Sequence, residues 1–422
     1  MGVLAALVTF VVMAGLAPTA IAAEPPPSPP PTFTHTPVPC PNGSCMSPPC
    51  PTLPGASCSA APYSVAFDRD GNTWWTESRD LSTIGRRDAK THAVQLFSVP
   101  GDGVIDRILL GPDGNMWFSD QGAYYDPEPY QGHVGRILTH APYTLSEFAT
   151  PTAESRPLGL TVGADRNLWF TEFFSQPLGP VGPSGGNAIG RISPFGSDAQ
   201  ITASITEFSL PTPKAGPLDI AAGPDGNLWF TEAFVNQIGR ITTRGVITEY
   251  PLPAGGSPVA ISQGPDGNIW FTDRGVNSIG RILTRDPHTV SLFPVPATPN
   301  MVLYFITDGP DGNMWFTDVF GNDVGRVLVK SPDTVTLYHD PLPGAAPRDI
   351  KCGPDGNLWT TEQGTSTLGQ VHLTNNPTTT AVYSAECRTD ILRASIGIPA
   401  KFPGTQAGDQ GSSPGDNPGS QG

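Results

Sequence analysis

The sequence predicts an all-β protein, a seven-bladed β-propeller of four-stranded antiparallel blades. A phrase close to Gly-Pro-Asp-Gly-Asn-Leu-Trp-Phe-Thr-Glu occurs seven times, and its tryptophan recurs every 41 to 60 residues. A period just above forty residues is typical of a propeller blade. Glycine (48) and proline (49) together make almost a quarter of the 422 residues, as expected for short strands joined by tight turns.

The fourth repeat shows the four strands that each unit predicts. Residues 218–222 form strand A, and the Pro-Asp-Gly-Asn that follows supplies a glycine for a tight hairpin turn. Residues 228–231 form strand B, 237–242 strand C and 246–250 strand D, which prolines end. Such a sheet cannot bury both faces alone, so seven of them are expected to pack around one axis.

Charge and composition limit the partners. The net charge is −15, only 14% of residues are charged, and no run is rich in lysine or arginine. A protein that binds nucleic acid through its phosphates is therefore excluded. We expect a monomer that takes a small-molecule or peptide ligand at the channel face, with no nucleic-acid partner.

The N-terminal region predicts export. Residues 3–17 are apolar, and Ala20-Ile21-Ala22 has the small-residue pattern of a cleavage site, so residues 1–23 are interpreted as a signal peptide. The protein would then be secreted, periplasmic or at the cell surface. No lysine or arginine precedes Arg69, which leaves an uncleaved N-terminal membrane anchor as the alternative.

The remaining boundaries follow from composition. Residues 24–60 are rich in proline and cysteine and predict an extended spacer, 61–385 form the propeller, and 386–422 form a C-terminal segment with a disordered tail. Export makes disulfides the expected state of the six cysteines, but their pairing stays open. The outer strand of the last blade comes either from 378–384 or from the N-terminal side.

The repeated phrase followed by Asn-x-Ile-Gly-Arg-Ile, as at residues 236–241, resembles the streptogramin B lyase (virginiamycin B lyase) family of seven-bladed propellers. The resemblance covers about residues 61 to 385. It implies a magnesium-dependent elimination that opens a cyclic depsipeptide at an ester, with a histidine as general base.

The positions that this family uses for catalysis carry other residues here. The resemblance implies histidines directly after the proline position that opens strand A in the last two blades, where this sequence has Tyr304 and Arg348. It implies a magnesium-binding glutamate where Ala346 stands, while Tyr63 does match a family tyrosine. Tyr63, Tyr304 and Arg348 are therefore candidate ligand-binding residues at the channel.

Two other chemistries remain possible from the residues. Hairpin arithmetic places Asp106 opposite Asp120 in the second unit, and two close carboxylates raise one pKa or recruit a divalent cation such as Mg²⁺ or Ca²⁺. These two residues are the candidate metal ligands, and neutralisation by nearby arginines is the alternative. His133, in the loop between strands B and C of that unit, is the one candidate catalytic histidine.

Each strand B ends in a carboxylate, and the sequence offers two interpretations of this ring. One is a cation-binding ring; the other, which hairpin arithmetic favours, is cross-strand pairing such as Glu232 with Arg240. In the last unit Gln370 replaces that arginine, so Arg348 is expected to pair with Glu362.

Long loops between strands B and C in the second and third units carry aromatic residues. Tyr124, Tyr125, Phe173 and Phe174 are candidates for stacking on a flat or cyclic ligand, and packing on each other is the alternative. The leading hypothesis is a secreted ligand-binding or interaction scaffold that lacks the family's catalytic histidine. The alternatives are a magnesium-dependent carbon-oxygen lyase acting on cyclic depsipeptide esters and a metal-dependent lactonase or other hydrolase.

Overall fold

The protein forms a closed ring of seven sheets. A computed structural model describes residues 29–39, 61–77, 82–101, 103–123, 131–174 and 186–373. These residues form seven four-stranded antiparallel sheets, and the innermost strands of neighbouring blades touch all round the ring, including the last with the first. The predicted seven-bladed propeller is confirmed.

The strands of the first four blades follow in chain order from the centre outwards, as strands A to D. Blade 1 contains β2 (Pro62–Phe67), β3 (Thr73–Glu77), β4 (Thr83–Arg87) and β5 (Val94–Ser98). Blade 2 contains β6 (Gly103–Leu110), β7 (Met116–Ala123), β8 (His133–Ile137) and β9 (Leu145–Ala149). Blade 3 contains β10 (Ser155–Val162), β11 (Leu168–Phe174), β12 (Ala188–Ile192), a short helix α1 (Asp198–Ala203) and β13 (Thr206–Ser209). Blade 4 contains β14 (Pro217–Ala222), β15 (Leu228–Glu232), β16 (Gln237–Ile241) and β17 (Ile247–Pro251).

The last three blades keep this order until the closing strand. Blade 5 contains β18 (Pro258–Gln263), β19 (Ile269–Asp273), β20 (Ser278–Ile282) and β21 (Val290–Pro294). Blade 6 contains β22 (Leu303–Asp308), β23 (Met314–Asp318), β24 (Asp323–Val327) and β25 (Val335–His339). Blade 7 contains β26 (Pro347–Cys352), β27 (Leu358–Glu362), β28 (Thr367–His372) and, as its outer strand, β1 (Thr32–Pro37).

The N-terminal side therefore supplies the outer strand of blade 7. β1 pairs antiparallel with β28 from Thr32 opposite His372 to Pro37 opposite Thr367. This answers the question that the sequence left open, and it places six residues of the proline-rich segment inside the propeller. The predicted signal peptide, residues 378–384 and the tail lie outside the described residues.

The repeated phrase builds the turn between strands A and B. In six blades the tryptophan indole nitrogen donates to the aspartate of the turn, and in blade 1 it donates to Asp68, two residues before the matching position, at 2.8 to 3.1 Å throughout. In blade 4, Asn227 also donates to Asp225, and Gly226 takes a φ of 77° that favours glycine. The turn residues and Trp229 thus form one hydrogen-bonded unit.

The tryptophans also join neighbouring blades. Trp117 of blade 2 is fully buried and packs against Leu160, Leu168 and Phe170 of blade 3. Replacing such a side chain by alanine removes about 3–5 kcal/mol of stability, so these contacts carry much of the inter-blade core.

A belt of strand-B hydroxyls completes the ring near the axis. Thr361 accepts from the Asp349 amide of its own blade at 3.0 Å and donates to the Tyr63 carbonyl of blade 1 at 3.0 Å. The same pair of bonds occurs in each blade, with these hydroxyl groups: Thr76, Ser119, Thr171, Thr231, Thr272, Thr317 and Thr361.

Every strand A carries a bulge at this belt. In blade 4 Pro217 pairs with Glu232 and Ile220 with Phe230, so Leu218 and Asp219 together oppose Thr231. All seven strands A shift register at this point. Such a bulge re-aims side chains. Here it brings two consecutive residues of a strand to the axis.

Among the described residues no helix has the length and apolar character needed to cross a bilayer.

Candidate functional site

The channel is filled at depth by a buried ion cluster. Arg107 of blade 2 lies 2.6 Å from Asp219 of blade 4 and 3.3 Å from Asp349 of blade 7, and its guanidinium stands 4.0 Å from the Phe305 ring centre. Asp349 also accepts from the Ser64 hydroxyl at 2.8 Å. We call Arg107, Asp219 and Asp349 the inner ion cluster. It spans the axis and links blades on opposite sides of the ring.

A second guanidinium lies nearer to solvent. Arg348 is placed between two rings, with its guanidinium carbon 3.6 Å from the centre of Tyr63 and 4.0 Å from that of Tyr304. It donates to both phenol oxygens, and its other terminal nitrogen lies 3.4 Å from Gln363 Oε1. All three side chains keep partial exposure, whereas the inner ion cluster is buried. The structure thus brings together three residues that the sequence singled out.

Asp106 is the acid of this group, which we call the mouth cluster (Tyr63, Asp106, Tyr304 and Arg348). Its carboxylate accepts from Gln121 at 2.9 Å and from the Tyr63 hydroxyl. Burial raises the pKa of Asp106 to about 6, against the opposing effect of Arg348. Burial and the charge of Asp106 raise the pKa of Tyr63 well above its usual value, so its phenol stays protonated and donates.

The other half of the mouth is apolar. The positions of blades 3, 4 and 5 that correspond to the mouth cluster are Leu158, Leu218 and Val259. The first two are half-buried and Val259 is 5% exposed. One side of the opening therefore offers hydrogen-bonding groups and the other offers hydrocarbon.

The predicted metal pair Asp106 and Asp120 does not form. Because of the bulge, Asp120 pairs with Ile105, and Asp106 is directed to the mouth cluster instead. Asp120 accepts from the Gly122 amide at 2.9 Å and lies beside His133 and Glu147. The hairpin arithmetic failed because it assumed a regular ladder.

The mouth cluster does not fit a magnesium ion. It offers a single carboxylate, which is engaged by Gln121 and Tyr63, and the Arg348 guanidinium stands beside it. Magnesium prefers several oxygen ligands and no neighbouring cation. The residue at the position implied for a magnesium-binding glutamate is Ala346, as the sequence indicated.

The predicted pairing of strand-B acids with strand-C arginines is wrong. Glu232 pairs with Gln237, while Arg240 opposes Trp229 and stacks on its ring at 5.7 Å. The turn is not centred on Asn236, which takes a left-handed φ of 56° at the end of the loop. The strand-C arginines therefore lie above tryptophans, and some also reach the turn aspartates, as Arg326 does to Asp311 at 3.5 Å.

Arg348 likewise does not pair with Glu362. Pro347 takes the position opposite Glu362, and Arg348 follows the bulge to the channel. Glu362 instead accepts from Thr367 and lies 3.4 Å from His35 of β1. Burial raises the pKa of Glu362 to about 8.

The acidic side chains on strand B have different partners according to whether they are aspartate or the longer glutamate. The aspartates bind backbone amides, as Asp318 does with Val302 at 2.8 Å and Gly321 at 3.1 Å. The longer Glu172 and Glu232 face a second carboxylate on strand D, Glu207 and Glu249. Burial, followed by that neighbour, raises the pKa of Glu172 to about 9 and of Glu232 to about 8. The raised pKa values keep Glu172 and Glu232 protonated at neutral pH.

None of the seven histidines lies on a strand A. His133 begins strand C of blade 2 opposite Asp120, away from the mouth cluster. Burial lowers the pKa of His133, and burial together with Asp120 raises that of Glu147 to about 7. His35 binds Asp340 at 2.9 Å and fastens the closing strand to blade 6.

Of the four loop aromatics predicted to stack on a ligand, the structure describes the side chain of Phe173 alone. Phe173 packs edge-on against Phe234 of the neighbouring blade 4 at 5.4 Å, a residue outside the predicted set. Tyr124 and Tyr125 lie outside the described residues, and so does the side chain of Phe174. Phe320, in the corresponding loop of blade 6, is 68% exposed.

Sequence reasoning missed the inner ion cluster and His35. Arg107, Asp219 and Asp349 each directly follow a residue at the mouth position of their strand A, namely Asp106, Leu218 and Arg348. One signal in the sequence could have revealed the cluster. A single repeat position carries two acids and an arginine, while the other blades have small or apolar residues there.

Comparison with known proteins gives a consistent result. The model of the virginiamycin B lyase family matches residues 52–186 and 182–389. Virginiamycin B lyase of Nocardia farcinica is 30% identical over 222 residues, which cover 46% of this chain and 70% of that protein. The corresponding protein of Bordetella bronchiseptica is 44% identical over 55 residues, covering 13% of this chain and 18% of that protein.

Solved structures agree. A streptogramin B lyase structure superposes with a TM-score of 0.64 at 28% identity, covering 82% of this chain and 98% of the other. A catalytically inactive histidine-to-alanine variant of the Staphylococcus aureus virginiamycin B lyase with quinupristin has the same TM-score at 27% identity, covering 81% of this chain and 100% of the other.

Proposed function

Since the chain belongs to the virginiamycin B lyase family but carries Arg348 between two tyrosines where a base is expected, we propose that it is an exported ligand-binding propeller without the family's lyase chemistry. The observation that carries this proposal is the mouth cluster itself. The position of the base is occupied by a guanidinium that cannot accept a proton.

The two halves of the mouth indicate the class of ligand. The Arg348 guanidinium offers N–H donors for a carbonyl or carboxylate oxygen, and Leu158 and Leu218 offer an apolar surface. A cyclic or peptide-like molecule with one polar edge and one hydrocarbon face meets both requirements.

A residual enzyme activity is the second candidate, and Asp106 favours it. A carboxylate with a pKa of about 6 is mostly ionised at neutral pH and is a stronger base than an ordinary aspartate. Arg348 beside it could stabilise developing negative charge on an ester oxygen. The reaction would be elimination or hydrolysis at a cyclic ester, with Asp106 taking the proton.

One experiment separates the two candidates. The purified protein is incubated with a streptogramin B antibiotic and with a panel of lactones, with and without magnesium, and ring opening is followed by mass spectrometry while binding is measured by calorimetry. Saturable binding without turnover supports the scaffold. Turnover that Asp106→Asn abolishes supports the enzyme and defeats the scaffold, and absence of both binding and turnover defeats both for this ligand class.

A further inference from the structure

A set of possible metal ligands lies in blade 2, apart from the mouth cluster. Asp120 lies on strand B, His133 begins strand C directly opposite, and Glu147 lies on strand D. One ligand atom of each lies within 4.8 Å of those of the other two. We call these residues the blade 2 triad, and three adjacent strands contribute one member each.

The triad lacks the partners that would make it a structural ion pair. Within the described chain neither carboxylate makes a salt bridge with lysine or arginine. The His133 ring makes no hydrogen bond there, and Glu147 Oε1 is buried without a donor. Asp120 is 2% exposed, so its charge has little help from water.

Blades 3 and 4 show what the same place looks like without a histidine. They carry the acid pairs Glu172 with Glu207 and Glu232 with Glu249, and their residues at the position of His133 are Ala188 and Gln237. Blade 2 therefore differs by an imidazole added to an acid pair.

The closing-strand histidine offers a contrast. His35 Nε2 already lies 2.9 Å and 3.2 Å from the two Asp340 oxygens and 3.4 Å from Glu362. Both acids of that group therefore already contact the imidazole. The His133 ring has no such engagement.

We propose that Asp120, His133 and Glu147 bind a divalent transition-metal ion of the zinc type. Two carboxylate oxygens and one imidazole nitrogen are three ligands that zinc accepts, with a fourth position left for water. Magnesium and calcium prefer oxygen alone, so the imidazole selects against them. His133 and Glu147 are half-buried, which leaves the ion a route from solvent.

The consequence would be local. Asp120 of strand B and His133 of strand C are cross-strand neighbours, so the ion would tie this pair to Glu147 of strand D. This role is independent of the proposed ligand site. Neither Arg348 nor Asp106 takes part in it.

The test is zinc binding by the full chain after treatment with a chelator. Zn²⁺ is titrated in competition with a chromophoric chelator, and the expected result is binding that Mg²⁺ at the same concentration does not displace. His133→Ala should weaken the affinity at least ~100-fold, because even loss of an outer-shell partner costs 10- to 100-fold. His140→Ala removes an exposed imidazole from the same blade, and it should leave the affinity unchanged.

A gain-of-site variant keeps the test decisive even if His133→Ala folds poorly. Gln237→His introduces an imidazole beside Glu232 and Glu249, and it should add one zinc equivalent. Should the His35 group also take an ion, His133→Ala would lower the stoichiometry from two to one, which still supports the proposal. The proposal would be overturned if the wild-type protein does not bind Zn²⁺ at millimolar concentration. It would also be overturned if His133→Ala binds Zn²⁺ with the affinity and stoichiometry of wild type.

Discussion

Arg107 and Arg348 both project into the channel from innermost strands, but they differ in surroundings. Arg107 is 7% exposed and is met by two carboxylates from blades 4 and 7. Arg348 keeps partial exposure and is held mainly by the rings and hydroxyls of Tyr63 and Tyr304. The buried Arg107 therefore fills the channel, whereas the more exposed Arg348 has N–H groups that a ligand can use.

This difference in partners distinguishes a structural charge from one that can bind a ligand. The inner ion cluster is complete in itself, because each charge has an opposite partner and backbone amides serve both acids, as Ile261 does for Asp219 at 3.0 Å. The mouth cluster has one arginine, one acid and two phenols with an apolar wall opposite. A ligand can add to the second arrangement without breaking an ion pair.

The largest expected effect is on stability. Arg107→Met leaves Asp219 and Asp349 buried without a cation, and breaking a buried pair in this way costs about 3–5 kcal/mol. Urea unfolding should show a lower midpoint with an unchanged slope. A loss below about 1 kcal/mol would mean that the inner ion cluster does not hold the ring together.

The second effect concerns pH and the mouth acid. Asp106 has a folded pKa of about 6, raised above its usual 3.8, so the folded state holds its proton more tightly than the unfolded chain does. Stability from this residue is present below pH 4 and is lost as pH rises towards 6, by on the order of 2–3 kcal/mol.

The measurement is unfolding free energy from pH 4 to 7 for wild type and Asp106→Asn. The difference between the two cancels the contribution of the outer acid pairs, which also titrate. It should change between about pH 4 and 6 and level off towards pH 7. A difference that does not vary with pH would contradict the raised pKa of Asp106.

The third effect separates stability from binding. Arg348→Met should lower stability by only about 1 kcal/mol, the scale of a partly exposed cation–π contact. Because the donors for the ligand are removed, the affinity for a bound streptogramin B should fall at least ~10-fold in calorimetry, given that a hydrogen bond from a charged group contributes about 1.5–3 kcal/mol. Arg348→Lys, which keeps the charge but not the planar fork, should recover part of the affinity.

The smallest effect removes one hydroxyl. Tyr304→Phe keeps the ring that stacks on Arg348 but deletes an acceptor, so binding should weaken by only about 0.5–1.5 kcal/mol. Thermal unfolding should be almost unchanged. A collapse of stability in this variant would show that the mouth cluster is as structural as the inner one.

The features that recur in every repeat could be predicted from the sequence. The turn aspartate, the tryptophan and the strand-B hydroxyl recur in every unit, and the predicted strands of blade 4 match β14 to β17 within about one residue. The choice of closing strand could not be predicted, because β1 carries no repeat motif.

Prediction failed where the backbone departs from regular alternation. The bulge places Asp219 beside Leu218 at the channel, so counting one residue per strand missed half of the lining. The left-handed Asn236 moves the hairpin centre, so Glu232 and Arg240 do not meet. Neither deviation changes composition or spacing.

The closing strand also constrains how the protein is made. Thr34 and Gln370 are hydrogen-bonded neighbours although 336 positions separate them. During synthesis β1 therefore has no partner strand until the six preceding blades and β28 have been made. The ribosome has to deliver almost the whole chain before this edge is protected, so the nascent protein is exposed to mispairing for most of its translation.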